Sequence, residues 1–129
     1  MDGMKILVAE DNKLNQKIVQ YIFQKKGAFI TMTNNGSEAV EELAKSRYDI
    51  LLIDLHMPVL DGYEAAKIIR NELKSTIPII ALTASISPED MDSCELCGIN
   101  KCISKPFDQD KLWDIMIDLI VDNRLNNGI

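Results

Sequence analysis

Three short stretches of the chain are apolar without a break: Ile6-Leu7-Val8-Ala9, Ile50-Leu51-Leu52-Ile53 and Ile79-Ile80-Ala81-Leu82. A strand with one wet face alternates, whereas an unbroken run marks a strand buried on both faces, as in a parallel sheet covered by helices. Lys5 opens the first run, and Pro78 precedes the third, where a strand start tolerates it. Phe29 to Thr33 and Ile99 to Ile103 are predicted as two weaker strands. Between the runs, apolar residues recur with helical spacing. Leu14, Ile18 and Ile22 stand four apart, and Val40, Leu43 and Ala44 and then Ala66, Ile69 and Leu73 behave similarly. Leu112, Ile115, Met116, Leu119 and Ile120 follow the pattern of a buried stripe. Ser37, Ser87 and Asp108 sit where helix N-caps belong, and Pro88 sits at a first helical position. Gly27, Gly36 and Gly98 mark turns. Strand and helix alternate five times, which predicts an α/β fold: a doubly wound, five-stranded parallel sheet with five helices.

Length and charge narrow the function. A chain of 129 residues fits one domain with a proper core, and 47% hydrophobic with 26% charged residues is ordinary for a soluble protein. The net charge is -6 with no basic run, which argues against direct nucleic acid binding and against an anionic membrane surface. No apolar run has the length of a bilayer span, and the start has no signal-peptide pattern, so no membrane insertion is expected. The odd set Cys94, Cys97 and Cys102 suggests reduced thiols and a cytoplasmic location. The folded unit is expected over residues 4–122, with 1–3 and 123–129 as flexible ends.

In open α/β sheets, sites form at the carboxyl ends of strands. Glu10 and Asp11 follow the first strand, Asp54 ends the third, Thr83 ends the fourth, and Lys105-Pro106 follows the fifth. A parallel sheet would gather all of them on one edge. Three packed carboxylates repel one another unless protonated or bridged by a cation, and hard oxygen ligands suit Mg²⁺. A cation would let a phosphoryl group approach Asp54, with Lys105 as a point charge and Thr83 as a hydrogen-bond donor. Aspartate can accept such a group as an acyl phosphate. Taken singly, each residue has an ordinary reading as cap, surface charge or packing hydroxyl. Their coincidence at four strand ends is what points to a site.

The segments Ile6-Leu7-Val8-Ala9-Glu10-Asp11-Asn12, Asp54-Leu55-His56-Met57-Pro58-Val59-Leu60-Asp61-Gly62, Ala81-Leu82-Thr83-Ala84 and Ser104-Lys105-Pro106-Phe107 together resemble the receiver domain of two-component response regulators. The resemblance covers about Lys5 to Ile120 and implies a flavodoxin-like sheet of order 2-1-3-4-5. It implies Asp54 as phosphoacceptor; Asp11, Asp54 and the His56 backbone carbonyl as ligands of Mg²⁺ or Mn²⁺; Glu10 acting through water; and Thr83 and Lys105 on the phosphoryl group. It also implies a cis Lys105-Pro106 bond. The donor would be a phosphohistidine on a sensor histidine kinase or a histidine phosphotransfer domain. The domain would catalyse its own phosphorylation and dephosphorylation without being a turnover enzyme. The stretch Glu10 to Gln16 is most similar to receivers of hybrid sensor histidine kinases, whose parent chains can be membrane-anchored. A homodimer through the α4-β5-α5 face, roughly Ser87 to Ile120, is a further expectation. One departure stands out: many receivers carry Tyr or Phe three residues before the lysine, and here that residue is Cys102.

Other residues have simpler readings. Cys94-Glu95-Leu96-Cys97 has zinc or redox spacing, but it sits late in a helix with no nearby histidine, which favours packing thiols. His56 is expected as an exposed loop residue contributing its carbonyl, with tuning of phosphoryl lifetime as the sharper alternative. Trp113 reads as a packing residue, and Met57-Pro58 shapes the loop after Asp54. Two competing functions remain open at this point. An aspartate-nucleophile phosphohydrolase would carry a second Asp where His56 stands. A pure interaction module would lack one of the acidic or lysine residues.

Overall fold

The computed structural model describes residues 3–84 and 86–127. Ten elements alternate: β1 (Lys5–Ala9), α1 (Lys13–Gln24), β2 (Phe29–Thr33), α2 (Gly36–Lys45), β3 (Ile50–Asp54), α3 (Gly62–Asn71), β4 (Ile79–Thr83), α4 (Pro88–Cys97), β5 (Lys101–Ser104) and α5 (Gln109–Asn126). All pairings are parallel, in the order β2-β1-β3-β4-β5. This is the flavodoxin-like arrangement expected.

Side chains leave a strand alternately to its two faces, and each face has its own core. Leu7, Ala9, Leu51 and Ile53 pack with Ala39 of α2, Ala65, Ala66 and Ile69 of α3, and Cys94 and Cys97 of α4. Ile6, Val8, Ile50, Leu52, Ile80 and Leu82 pack with Val19 and Phe23 of α1 and with Leu112, Trp113, Met116 and Ile120 of α5. Trp113 stacks on Phe23 at 5.9 Å between ring centroids, the packing role expected of it. Three-layer burial explains the unbroken apolar runs: neither face of β1, β3 or β4 meets water.

Four local expectations change. The Leu14–Ile18–Ile22 stripe is not the buried face of α1: Leu14 is 67% and Ile18 45% exposed, while Gln16, Val19 and Phe23 are buried. The buried row stands three and four apart, a helical spacing like that of the exposed row, and packing against the sheet and α5 decides between them. The N-cap of α2 is Asn35, not Ser37; the Asn35 side chain accepts the Glu38 N–H. Gly36 is therefore the first helical residue, where any Cβ would collide with the Leu60 carbonyl oxygen. Strand β5 starts at Lys101 rather than Ile99, because Gly98 (φ 85°) turns the chain and Ile99 N–H bonds back to the Cys94 carbonyl. Helix α5 continues past 122 to Asn126; Arg124 pairs with Asp49 at 3.0 Å, tying that last turn to the sheet. Of the expected flexible ends, residues 1, 2, 128 and 129 lie outside the described residues. Ser87 and Asp108 are N-caps as expected, Ser87 in a capping box with Asp90. Among the described residues, no helix is long and apolar enough to cross a membrane.

Candidate functional site

Strands β1 and β3 are neighbours in the middle of the sheet, so the turns that leave their carboxyl ends meet at the same edge. Glu10 is 5% exposed, and its N–H donates to the Thr33 carbonyl at 3.1 Å. Asn12 caps α1 by accepting the Asn15 N–H, and its own N–H donates to Glu10 Oε2 at 3.1 Å. The acidic turn is thus fixed from both sides before any ligand arrives. Asp54, half-buried, ends β3, and its Oδ1 accepts the His56 N–H at 3.1 Å. Behind it lies Gly62, the first residue of α3, where a Cβ would sit 2.7 Å from the Asp54 carbonyl oxygen. Only glycine lets α3 start this close to the acidic residue.

Lys105 reaches this edge from just beyond β5, and the bond that follows it, to Pro106, is cis, as expected. Its N–H donates to the Thr83 carbonyl at 2.7 Å, which aligns the ends of β4 and β5. Its Nζ donates to Glu10 Oε1 at 2.7 Å and to Asp54 Oδ2 at 3.3 Å. Burial alone would pull the Lys105 pKa down; the hydrogen bond and charge of Glu10 and the charge of Asp54 outweigh it, and the net shift is upward. The ammonium therefore stays charged at neutral pH. Carboxylate oxygens of Glu10, Asp11 and Asp54 all lie within 4.8 Å of one another.

The charge balance at this edge is incomplete. Three carboxylates face one ammonium, leaving a formal charge of -2. Unit charges 4 Å apart interact by about 1 kcal/mol in water and about 4 kcal/mol near a protein surface. A cluster of hard oxygen donors, with Asp11 exposed and a residual charge of -2, fits a divalent metal site. Thr83, 2% exposed, closes β4 one residue past the register partner of Asp54, so it belongs to the same edge.

Residues 6–117 match the family model of the response regulator receiver domain. The chain belongs to this family. It is 32% identical over 125 residues to the sensory/regulatory protein RpfC of Xanthomonas campestris pv. campestris, covering 95% of this chain and 17% of that one. It is 34% identical to hybrid signal transduction histidine kinase K of Dictyostelium discoideum, over 98% of this chain and 11% of that one. The chain thus spans less than a fifth of the length of these curated relatives. Among solved structures it is similar to the receiver domain of sensor histidine kinase PA1611 from Pseudomonas aeruginosa. That likeness has TM-score 0.84 and 38% identity, covering 92% of this chain and 98% of that one, and the relative holds a magnesium ion in its active site cleft. This receiver of two-component signalling is therefore homologous to the receivers of hybrid histidine kinases.

The remaining residues fall around the receiver site. His56 is exposed; its ring meets the edge of Tyr63 at 6.4 Å between centroids, and its backbone N–H holds Asp54. Cys94 and Cys97 are buried in the core, and no thiol joins a metal-ligating group among the described residues. Burial, then the neighbouring Cys102, pushes the Cys94 thiol up to about 12, which makes it unreactive at neutral pH. Beside Cys102, the same core is covered by Tyr63 of α3, whose hydroxyl donates to Asp90 Oδ1 at 2.6 Å. An aromatic residue thus reaches this region from α3 instead of from β5. Sequence reasoning passed over Tyr63, and took Gly62 and Gln16 only as parts of matching segments, without the close approach or the burial that the structure shows. A tyrosine or glutamine at a helix start has no periodic signature, and its partners lie up to 27 residues away.

Proposed function

We propose that Asp54 is the phosphoacceptor of this receiver and that Asp11 and Asp54 hold Mg²⁺ or Mn²⁺ directly. The His56 carbonyl would add a third ligand, and Glu10 would act through water. The observation that carries the reading is Lys105 Nζ lying between Glu10 and Asp54, inside a carboxylate cluster that keeps a charge of -2. An Asp54 carboxylate oxygen attacks phosphorus; the O–P bond forms, the P–N bond of a phosphohistidine breaks, and the imidazole leaves with the electron pair. Lys105 then exchanges part of its carboxylate pairing for a phosphoryl oxygen, and the Thr83 hydroxyl donates to another. The metal neutralises carboxylate and phosphoryl charge when bound.

The donor is proposed to be a sensor histidine kinase or a histidine phosphotransfer domain acting in the cytoplasm. Two features support a protein donor. The exposed stripe of Leu14 and Ile18 runs along α1, and Ile18, Ile22, Pro106 and Phe107 line a groove that ends at Lys105. Buried apolar contact beside the charged site would orient a large donor. A homodimer through the α4-β5-α5 face is a separate proposal, tested by sedimentation with and without a phosphodonor.

Incubation with acetyl phosphate and Mg²⁺, followed by intact mass measurement, tests the assignment. A gain of one phosphoryl group that disappears in Asp54→Ala supports it. Steady turnover of added phosphoesters would instead favour a phosphohydrolase, and an unmodified chain that binds no metal would favour a pure interaction module.

A further inference from the structure

We infer that Gln16 is a positioning residue for the metal-binding turn, acting on the ligands through the backbone of Glu10. This rests on the metal assignment proposed for Asp11 and Asp54. Gln16 is a polar residue on the inner face of α1, 8% exposed, in the row that continues as Val19 and Phe23. A glutamine there costs burial of an amide unless its hydrogen bonds are made. Its Nε2 makes two: to the Glu10 carbonyl oxygen at 2.5 Å and to Asn34 Oδ1 at 2.9 Å.

The second partner is itself aimed. Asn34 donates from its backbone N–H and from Nδ2 to Glu38 Oε1, at 2.9 and 3.2 Å, and its Oδ1 also accepts Lys13 Nζ at 2.8 Å. A chain of hydrogen bonds therefore runs from α2 through the β2–α2 turn and Gln16 to the peptide between Glu10 and Asp11. With the Thr33 carbonyl on the Glu10 N–H, the Glu10 peptide groups are held on both sides. Asp11 comes directly after the carbonyl that Gln16 holds. The Asp11 side chain is exposed and has no hydrogen bond or ion pair among the described residues, so its placement depends on this backbone.

Without the Gln16 donor, the Glu10 carbonyl is left to find water or to rotate, and Asp11 moves with it. Three carboxylates that repel one another would then spread apart until a cation gathers them. The consequence is weaker metal binding at an unchanged chemical step. Substituting Gln16→Met keeps length and apolar contact while removing the donor. Isothermal titration with Mg²⁺ alone should show affinity about tenfold weaker than the unsubstituted protein. Labelling by acetyl phosphate should need about tenfold more Mg²⁺ for half-maximal rate, yet reach the same rate at saturation.

Asn34→Ala, a substitution in the exposed turn, should weaken Mg²⁺ binding about threefold, and the double variant should be no weaker than Gln16→Met alone. Should Gln16→Met fail to fold, the Asn34→Ala titration still decides. Val19→Ala, one turn along the same helix, loosens the core without touching the turn and should leave Mg²⁺ affinity unchanged. Affinity within twofold of the unsubstituted protein in both Gln16→Met and Asn34→Ala overturns the inference. So does equal weakening in Val19→Ala, which would make the effect general loosening of α1. If the unsubstituted protein binds no Mg²⁺, the metal assignment itself fails, which is a different result from these.

Discussion

The two ends of the sheet use charge in opposite ways. At the amino ends of the strands, one carboxylate, Asp49, is matched: its Oδ2 accepts the Lys5 N–H at 2.8 Å and its Oδ1 pairs with Arg124 at 3.0 Å. At the carboxyl ends, Glu10, Asp11 and Asp54 gather, Glu10 and Asp54 pair with Lys105, and Asp11 has no ion pair among the described residues. Among the described residues, the carboxylate at the first end is matched, whereas the cluster at the second keeps a formal charge of -2. The comparison teaches where to look for function in a fold of this type. A balanced ion pair holds structure, while an unbalanced and half-buried cluster is held in place for something the chain does not contain.

Removing the central cation should have the largest effect. Lys105→Met is expected to lower acetyl phosphate labelling by about 100-fold, the scale of losing one fixed charge-stabilising donor. Removing the cation at the other end, Arg124→Met, should leave labelling unchanged and cost no more than about 1 kcal/mol, as for other exposed pairs. Equal losses in the two variants would break the comparison.

A smaller effect of opposite sign sharpens it. Asp11→Asn should stabilise the metal-free protein by about 1 kcal/mol by relieving repulsion, while Mg²⁺ should no longer raise its melting temperature. For the unsubstituted protein, Mg²⁺ at a hundred times its Kd should add about 2.7 kcal/mol. The loop after Asp54 holds a second local cost. Val59 is β-branched, 80% exposed and at φ 72°, in the left-handed region. Asparagine tolerates that region, so Val59→Asn should raise stability in urea by about 1 kcal/mol.

The smallest expected effect is a pH dependence away from the cluster. The Tyr63 hydroxyl, then Ser87, hold the Asp90 carboxyl below its ordinary value. A depressed carboxyl contributes stability above its unfolded pKa of about 3.9 and loses it as pH falls through the folded value. Tyr63→Phe should therefore flatten the acid side of the stability profile below about pH 4 and leave the neutral side parallel. Lys105 has the opposite sign: its raised pKa keeps its contribution intact below about pH 10.4, with loss only above that.

The fold was legible because its signals are redundant. Continuous runs such as Ile50 to Ile53 carry their own burial on both faces, and β1, β3 and β4 fell where those runs lie. The gathering of Glu10, Asp11, Asp54 and Lys105 came from placing strand ends on one edge, which needs topology and no side-chain detail. What stayed hidden depends on choices between equivalent local patterns. Either apolar row of α1 could face the sheet, and the shorter row of Val19 and Phe23 does so because Trp113 meets it. Asn35 and Ser37 are both capable caps, and the close approach of the Leu60 carbonyl at Gly36 decides between them. Gln16 and Tyr63 draw their roles from partners on other elements, so nothing near them in sequence announces those roles.

Locating the phosphoryl group chemically is the most direct trial of the unbalanced end. After incubation with acetyl phosphate, borohydride reduces an acyl phosphate of aspartate to homoserine, which peptide mass mapping places. The account predicts homoserine at position 54, in an amount that rises with Mg²⁺ and vanishes with chelator. Reduction at Glu10 or Asp11 instead, or the same yield at position 54 with the metal stripped away, would contradict it.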